Sequence, residues 1–258
     1  QILVSCGGKQ SFYNLAQALL DPGDEVIIPA PYWVSYPDMA ILAGGVPVLI
    51  QAGAGQHFKI TPAQLRGALT DKTKLFVINS PSNPTGMAYT EAELAALGEV
   101  LYEFPRVVIA TDDMYEHILW DKSTPFVNIL NACPDLADRT LVLNGVSKAY
   151  SMTGWRIGYA GGPAEVIKAM KKIQSQSTSN PTSISQYAAE AALNGPQDCI
   201  DEMLVQFKKR HDYVVERLNG IPGIDCLATD GTFYVFPSVA GLIEAIDGVT
   251  DDLSLSEY

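Results

Sequence analysis

Short β-branched runs alternate with segments of helical period along most of the 258 residues, and that alternation leaves few folds open. Strands that recur singly between helices are joined by crossovers, which makes their sheet largely parallel and covers it on both faces. The strand candidates are residues 2–6, 25–29, 46–51, 74–79, 107–111, 140–144 and 155–161. Helical periodicity falls between them, near residues 11–20, 36–43, 62–69, 91–104 and 164–174. Thr61-Pro62 and Thr90-x-x-Glu93 mark helix starts, the second as a capping box, and Asp21-Pro22-Gly23-Asp24 is a stop followed by a turn. The expected class is α/β: three layers, with a mostly parallel seven-stranded sheet and helices on both faces.

After Gly162 the texture changes. A long helical stretch over 197–218 is followed by 224–228 and 233–236, which read as strands of a different unit, part of a smaller α+β domain. We expect a boundary inside that helix, with residues 1–205 as a large domain and 206–258 as a linking helix and an incomplete small domain. The Ser- and Thr-rich residues 175–183 read as a loop. Gln1 runs straight into Ile2-Leu3-Val4, and the last residues stop in the first turn of a helix, so both ends read as cuts in a longer protein. A net charge of −12 argues against nucleic acid or an anionic membrane as partner, since both need clustered Lys and Arg. Four widely spaced cysteines without a C-x-x-C pair fit a reduced, cytoplasmic chain. No apolar run approaches the roughly 20 residues of a membrane span.

Four strand-end clusters carry chemistry. Ser147-Lys148-Ala149-Tyr150-Ser151-Met152-Thr153-Gly154-Trp155-Arg156 lies between two strand candidates. A desolvated lysine amine is a nucleophile toward an aldehyde, and an arginine offers a planar fork to a phosphate, with Ser147 as a further phosphate ligand. An isolated Lys/Arg pair would more simply be a surface ion pair; the flanking strands make that account weaker here. Asn79-Ser80-Pro81-Ser82-Asn83-Pro84-Thr85-Gly86 follows a hydrophobic strand, where ligands of open α/β sheets collect, although a plain turn explains the same residues. In Thr111-Asp112-Asp113-Met114-Tyr115 a strand-end carboxylate is placed to pair with a protonated pyridine nitrogen. His57, His117 and His211 are scattered, and no metal is expected. Gly7-Gly8-Lys9-Gln10 brings glycines to a helix N-terminus, where backbone N–H groups approach a phosphate, but it matches no nucleotide-binding fingerprint. Trp33, in Pro31-Tyr32-Trp33, is placed either to stack on an aromatic ring or to fill the core.

Taken along the chain, as Gly-Gly-Lys, Pro-Tyr-Trp, Asn-Pro-Thr-Gly, Asp-x-x-Tyr, Ser-Lys and Arg, the clusters resemble the class I aminotransferases of the aspartate aminotransferase fold, over essentially the whole chain, and their wording is most similar to the bacterial gamma subgroup. The resemblance implies pyridoxal 5'-phosphate as cofactor, with residues 1–205 as its binding domain. It makes Lys148 the lysine that carries the coenzyme as a Schiff base and moves the substrate proton. Arg156, Ser147 and the Gly8, Lys9 and Gln10 turn would hold the phosphate, and Asp112 the ring nitrogen. Tyr115 and Asn83 would bond the phenolic oxygen, Trp33 would stack on the ring, and Lys9, Trp33 and Asn83 would face substrate. It further implies cis peptides before Pro31 and Pro84. The activity implied is transfer of an amino group from L-aspartate to 2-oxoglutarate by a homodimer, with prephenate or aromatic amino acids as other partners. An N-terminal segment that closes over substrate, a tyrosine donated to the neighbouring subunit and an arginine for the α-carboxylate are absent from the sequence, so the piece alone is expected to be inactive. Rival expectations are a lyase or decarboxylase on the same fold, a non-catalytic coenzyme-binding regulator fused to a DNA-binding module, and a nucleotide-binding doubly wound domain.

Overall fold

The computed structural model describes residues 1–123 and 125–258. Chain order is β1 (Ile2–Ser5), α1 (Gly8–Leu19), β2 (Glu25–Ala30), α2 (Ser35–Leu42), β3 (Val46–Gln51), α3 (Pro62–Ala68), β4 (Thr73–Asn79), α4 (Glu91–Tyr102), β5 (Val108–Asp112) and α5 (Ile129–Ala132). It continues through β6 (Thr140–Gly145), β7 (Gly158–Gly161), α6 (Ala164–Ser175), α7 (Ser183–Asn194), α8 (Asp198–Asn219), α9 (Ala240–Ala245) and α10 (Asp252–Glu257). Among the described residues the strands form one seven-stranded sheet, ordered β1-β7-β6-β5-β4-β2-β3. It is parallel except for β7, which runs antiparallel to both neighbours.

The continuous apolar runs are strands buried on both faces, and the strand period of two sorts their side chains. Val26, Ile28, Leu75, Val77 and Ala110 enter one core cluster with α1, α2 and α6 residues such as Phe12, Leu15, Tyr36 and Met170. Their neighbours Ile27, Phe76, Ile78 and Ile109 enter the other, with Leu65, Leu94, Leu97 and Leu101 of α3 and α4. Three layers follow. Both helix starts read from sequence close as capping boxes: Thr61 with Gln64, and Thr90 with Glu93. Glu93 also pairs with Lys59 at 2.7 Å, which ties α4 to the approach of α3.

Three expectations need correction. The strand read over 155–161 is shortened to Gly158–Gly161, because Thr153–Trp155 forms a single tight helical turn and Arg156 takes φ 54°, which ends any extended run. Residues 224–228 and 233–236 are not strands. Only isolated bridges occur there, Asp225 with Ser238 and Gly231 with Leu119. The cause is local: Thr232 has φ 68°, and the backbone bonds Thr232 N–H to Ile118 O (2.8 Å) and Trp120 N–H to Asp230 O (3.0 Å) tie this segment to the loop after β5 rather than to a second sheet. No helix among the described residues is long and apolar enough to cross a membrane.

Candidate active site

Parallel strands deliver their carboxyl ends to one edge, and the chemistry-bearing residues gather there. Asn79 and Asp112 are the last residues of β4 and β5 and lie opposite each other in register. Asn79 Nδ2–H donates to Asp112 O at 2.8 Å, and Asn79 Oδ1 accepts Asn83 N–H at 2.7 Å, so one side chain fixes both the strand end and the loop beyond it. That loop contains cis peptides at Ser80–Pro81 and Asn83–Pro84; a third precedes Pro31. The Asp112 carboxylate accepts Tyr36 O–H at 2.5 Å and Met114 N–H at 3.2 Å. Burial nevertheless holds its carboxyl above the usual carboxylate range, opposed by those two bonds.

Lys148 follows β6. Its Nζ stands 5.3 Å from the ring centre of Phe233 and 5.9 Å from that of Tyr115. Desolvation, and secondarily the Arg156 guanidinium, lowers its proton affinity below that of an ordinary lysine, which leaves the amine more available as a nucleophile. Tyr115 is buried and its hydroxyl meets that of Tyr234 at 2.7 Å, with Asn83 lining the same cavity. Burial drives the Tyr115 phenol far above its ordinary value, so it stays protonated.

The β1–α1 turn and Arg156 form the opposite wall. Gly7 takes φ 92°, and its α-carbon faces the Arg156 guanidinium so closely that a β-carbon would occupy the same space. A β-carbon on Gly8 would meet Met114 Cε at 2.5 Å. Arg156 Nη1 donates to Thr153 O at 2.7 Å, which steadies its fork. Lys9 Nζ lies 5.1 Å over the Trp33 ring, and Trp33 meets Tyr36 edge-on at 5.2 Å.

Together these residues line a cavity of ≈ 220 Å³ bounded by Gly8, Lys9, Trp33, Asn83, Asp112, Tyr115, Lys148 and Arg156, with Tyr36, Asn79, Met114 and Tyr234. Two residues named from sequence stand apart from it. Ser147 is buried beside Lys148 without lining the cavity. Gln10 spends its carboxamide on Cys6 N–H (2.6 Å) and Thr178 Oγ (2.7 Å), holding α1 to the loop after α6. Sequence reasoning missed Tyr36, Phe233 and Tyr234; Asn79 was named as part of its strand-end cluster without a role of its own.

Pyridoxal phosphate fits this donor set. A glycine turn at the N-terminus of a twelve-residue helix, with an arginine fork against it, makes a cradle for a dianion that any β-carbon would fill. An amine of lowered proton affinity lies near it, and a carboxylate stands across the cavity for a ring nitrogen. Among the described residues no three His, Cys, Asp or Glu side chains stand together as metal ligands.

Comparison with known proteins agrees in fold and sequence. Residues 1–256 match the family model for class I and II aminotransferases. The chain belongs to that family, whose members depend on pyridoxal phosphate. It is 61% identical over 247 residues to an aspartate/prephenate aminotransferase of Nitrosomonas europaea, covering 96% of this chain and 62% of that protein. An aspartate aminotransferase of Geobacillus stearothermophilus is 52% identical over 238 residues, covering 92% of this chain and 60% of that one. The crystal structure of the Rhizobium meliloti aspartate aminotransferase superposes with a TM-score of 0.95 at 49% identity, over 100% of this chain and 65% of that chain. The chain thus spans about three fifths of the length of these relatives.

Proposed function

We propose that the protein of which this chain is part transfers the amino group of L-aspartate to 2-oxoglutarate, giving oxaloacetate and L-glutamate, with Lys148 as the residue that holds the coenzyme. The carrying observation is that Lys148, Asp112, Tyr115, Asn83 and Arg156, spread over more than 70 positions, share one cavity. When bound, the coenzyme supplies an electron sink for the bonds at the substrate's α-carbon. Arg156 and the backbone N–H groups of the Gly8–Lys9 turn bind the phosphate. The Asp112 carboxylate, held by Tyr36 and Met114, keeps a proton on the ring nitrogen. Tyr115 and Asn83 orient the phenolic oxygen, and the Trp33 indole covers the ring and excludes water. The Lys148 amine would take the proton from the substrate's α-carbon and return it to the coenzyme's aldehyde carbon, on the other side of the shared nitrogen. Lys9, steadied over Trp33, draws in the distal carboxylate of a dicarboxylic substrate.

Prephenate as amino acceptor is the second reading, favoured by the name of the 61% identical relative. We assign residues 1–205 to the coenzyme-binding domain and 206–258 to the start of a second one, dividing α8. A homodimer is part of the proposal, supported by the exposed Ile184 and Tyr187 of α7. A cytoplasmic location is supported by four free cysteines. The test is the full-length protein mixed with coenzyme: a visible absorbance band, fixed by borohydride and lost in Lys148→Ala, with single-turnover conversion of L-aspartate to oxaloacetate. Release of pyruvate or carbon dioxide, or a band that persists in Lys148→Ala, overturns the proposal.

A further inference from the structure

Tyr234 lies outside the sheet, 119 residues after Tyr115, yet its hydroxyl reaches into the site to meet the Tyr115 hydroxyl at 2.7 Å. The route that brings it there is tightly specified. Gly231 N–H donates to Gly86 O at 3.0 Å, inside the loop that carries Asn83, and Gly231 lies against the Ile118 carbonyl where no β-carbon fits. Thr232, fully buried at φ 68°, donates its N–H to Ile118 O, and its Oγ accepts Tyr234 N–H at 3.2 Å. Phe233 and Tyr234 pack at 4.8 Å, and both rings sit against Tyr115 at 5.8 and 5.7 Å. A left-handed threonine is strained unless its surroundings hold it, and here those surroundings aim two aromatic side chains at Tyr115.

We propose that Tyr234 is a positioning residue for Tyr115: its hydroxyl donates to the Tyr115 oxygen and so turns the Tyr115 proton into the cavity. A phenol has one proton and two lone pairs. The contact between the two hydroxyls allows either to donate; with Tyr234 as donor and Asn83 beside the pair, the Tyr115 O–H is left the direction of the cavity that all three residues line. Donation into an oxygen also polarises its own O–H, so Tyr115 becomes a stronger donor than an isolated phenol. Resting on the assignment of Lys148 and Tyr115 above, the inference makes Tyr234 a determinant of how strongly the coenzyme's phenolic oxygen is held, and through it of the proton affinity of the lysine nitrogen joined to it. The ionisable groups around the pair are Asp112 of β5, Tyr36 of α2, Lys148 and Arg156 after β6, and Arg210 and His211 of α8 on the far side of Phe233 and Tyr234.

The test is the pH midpoint of the visible band in four full-length holoenzymes: wild type, Y115F, Y234F and Y115F/Y234F. Loss of the Tyr234 hydroxyl weakens stabilisation of the phenolic oxygen and moves the midpoint up by about half a pH unit. Y115F moves it further, and the double variant matches Y115F because Tyr234 acts through Tyr115. A Y234F midpoint equal to wild type, a Y115F midpoint that does not move, or additive shifts in the double variant overturns the inference. Absence of any band in wild type overturns the coenzyme assignment itself, and this inference with it.

Discussion

Replacing Gly158 by alanine places a methyl group where the sheet meets the cradle. The added β-carbon would sit 2.8 Å from Gly8 Cα and nearer still to Gly8 N and Gly7 C, all backbone atoms of the β1–α1 turn. An ordinary carbon contact begins near 3.4 Å and the nearest carbon, Gly7 C, would lie at 2.4 Å, so β7 and that turn must separate by about 1 Å. No side-chain rotation relieves this, because nothing in the way is a side chain. Overpacking of a fixed site costs about 1–3 kcal/mol, and a clash with backbone on two residues belongs at the upper end. A penalty of about 3 kcal/mol lowers the melting temperature by roughly 5–10 °C. The same opening moves Gly7 and Gly8 off the position in which they receive the phosphate, so coenzyme affinity falls with stability. Gly161→Ala on the same strand is the control: its nearest neighbours are Gln1 O at 3.8 Å and Ile2 Cγ1 at 3.9 Å, and no change is expected. Differential scanning calorimetry of apo and coenzyme-loaded forms measures both effects. If Gly158→Ala melts and binds like Gly161→Ala, the turn is more compliant than its contacts imply and the cradle argument fails.

Three further outcomes follow from other contacts. Tyr36→Phe removes the 2.5 Å donor to Asp112, and a hydrogen bond to a charged group of that kind corresponds to about a tenfold loss of coenzyme affinity by equilibrium titration; an unchanged affinity would show that Asp112 does not depend on Tyr36. Arg139 donates to the carbonyls of Leu101, Phe104 and Val107 at 2.7–2.9 Å, capping the end of α4, so Arg139→Met should cost about 2–4 kcal/mol in urea unfolding, and a cost near zero would mean that water replaces it freely. Asp113 is 1% exposed, and burial pushes its carboxyl up to about 7 against the bonds from Thr111 and Asn128. A folded-state proton affinity above the unfolded one stabilises the fold fully below about pH 4, and that contribution is lost as pH rises through 7. Asp113→Asn should therefore gain on wild type by on the order of 4 kcal/mol between about pH 4 and about pH 8; a gap between the two proteins that is flat with pH refutes this.

The sheet was legible because its strands are continuous apolar runs: the Val26-Ile27-Ile28 and Leu75-Phe76-Val77-Ile78 segments are strands whichever face they turn. Helix starts at Thr61 and Thr90 were legible because capping chemistry is local in sequence. Residues 224–228 and 233–236 misled because Phe233 and Phe236 are apolar for another purpose: Phe233 packs on Tyr115 and Phe236 on Phe58. Periodicity cannot distinguish an aromatic that seeks a sheet from one that seeks a ring. Tyr36 was unreadable for a related reason. Within α2 it looks like a core residue, and it is one, 2% exposed, while its hydroxyl emerges at Asp112, 76 positions away. Chemistry at strand ends announces itself through Gly, Pro, Asn and Asp; the aromatic side chains that support it do not.

The place of β1 at the sheet's edge has a consequence for how the site comes into being. Its partner in the ladder is β7, with Ser5 paired to Gly158, so the phosphate cradle lies at a seam between an early and a late part of the chain. A ribosome must deliver every intervening strand before that seam can close, and contacts of such sequence separation form late. The cradle is thus absent from any partly assembled sheet. Coenzyme that binds there stabilises only the completed β1-β7-β6 end, and its capture marks the moment at which the fold is finished.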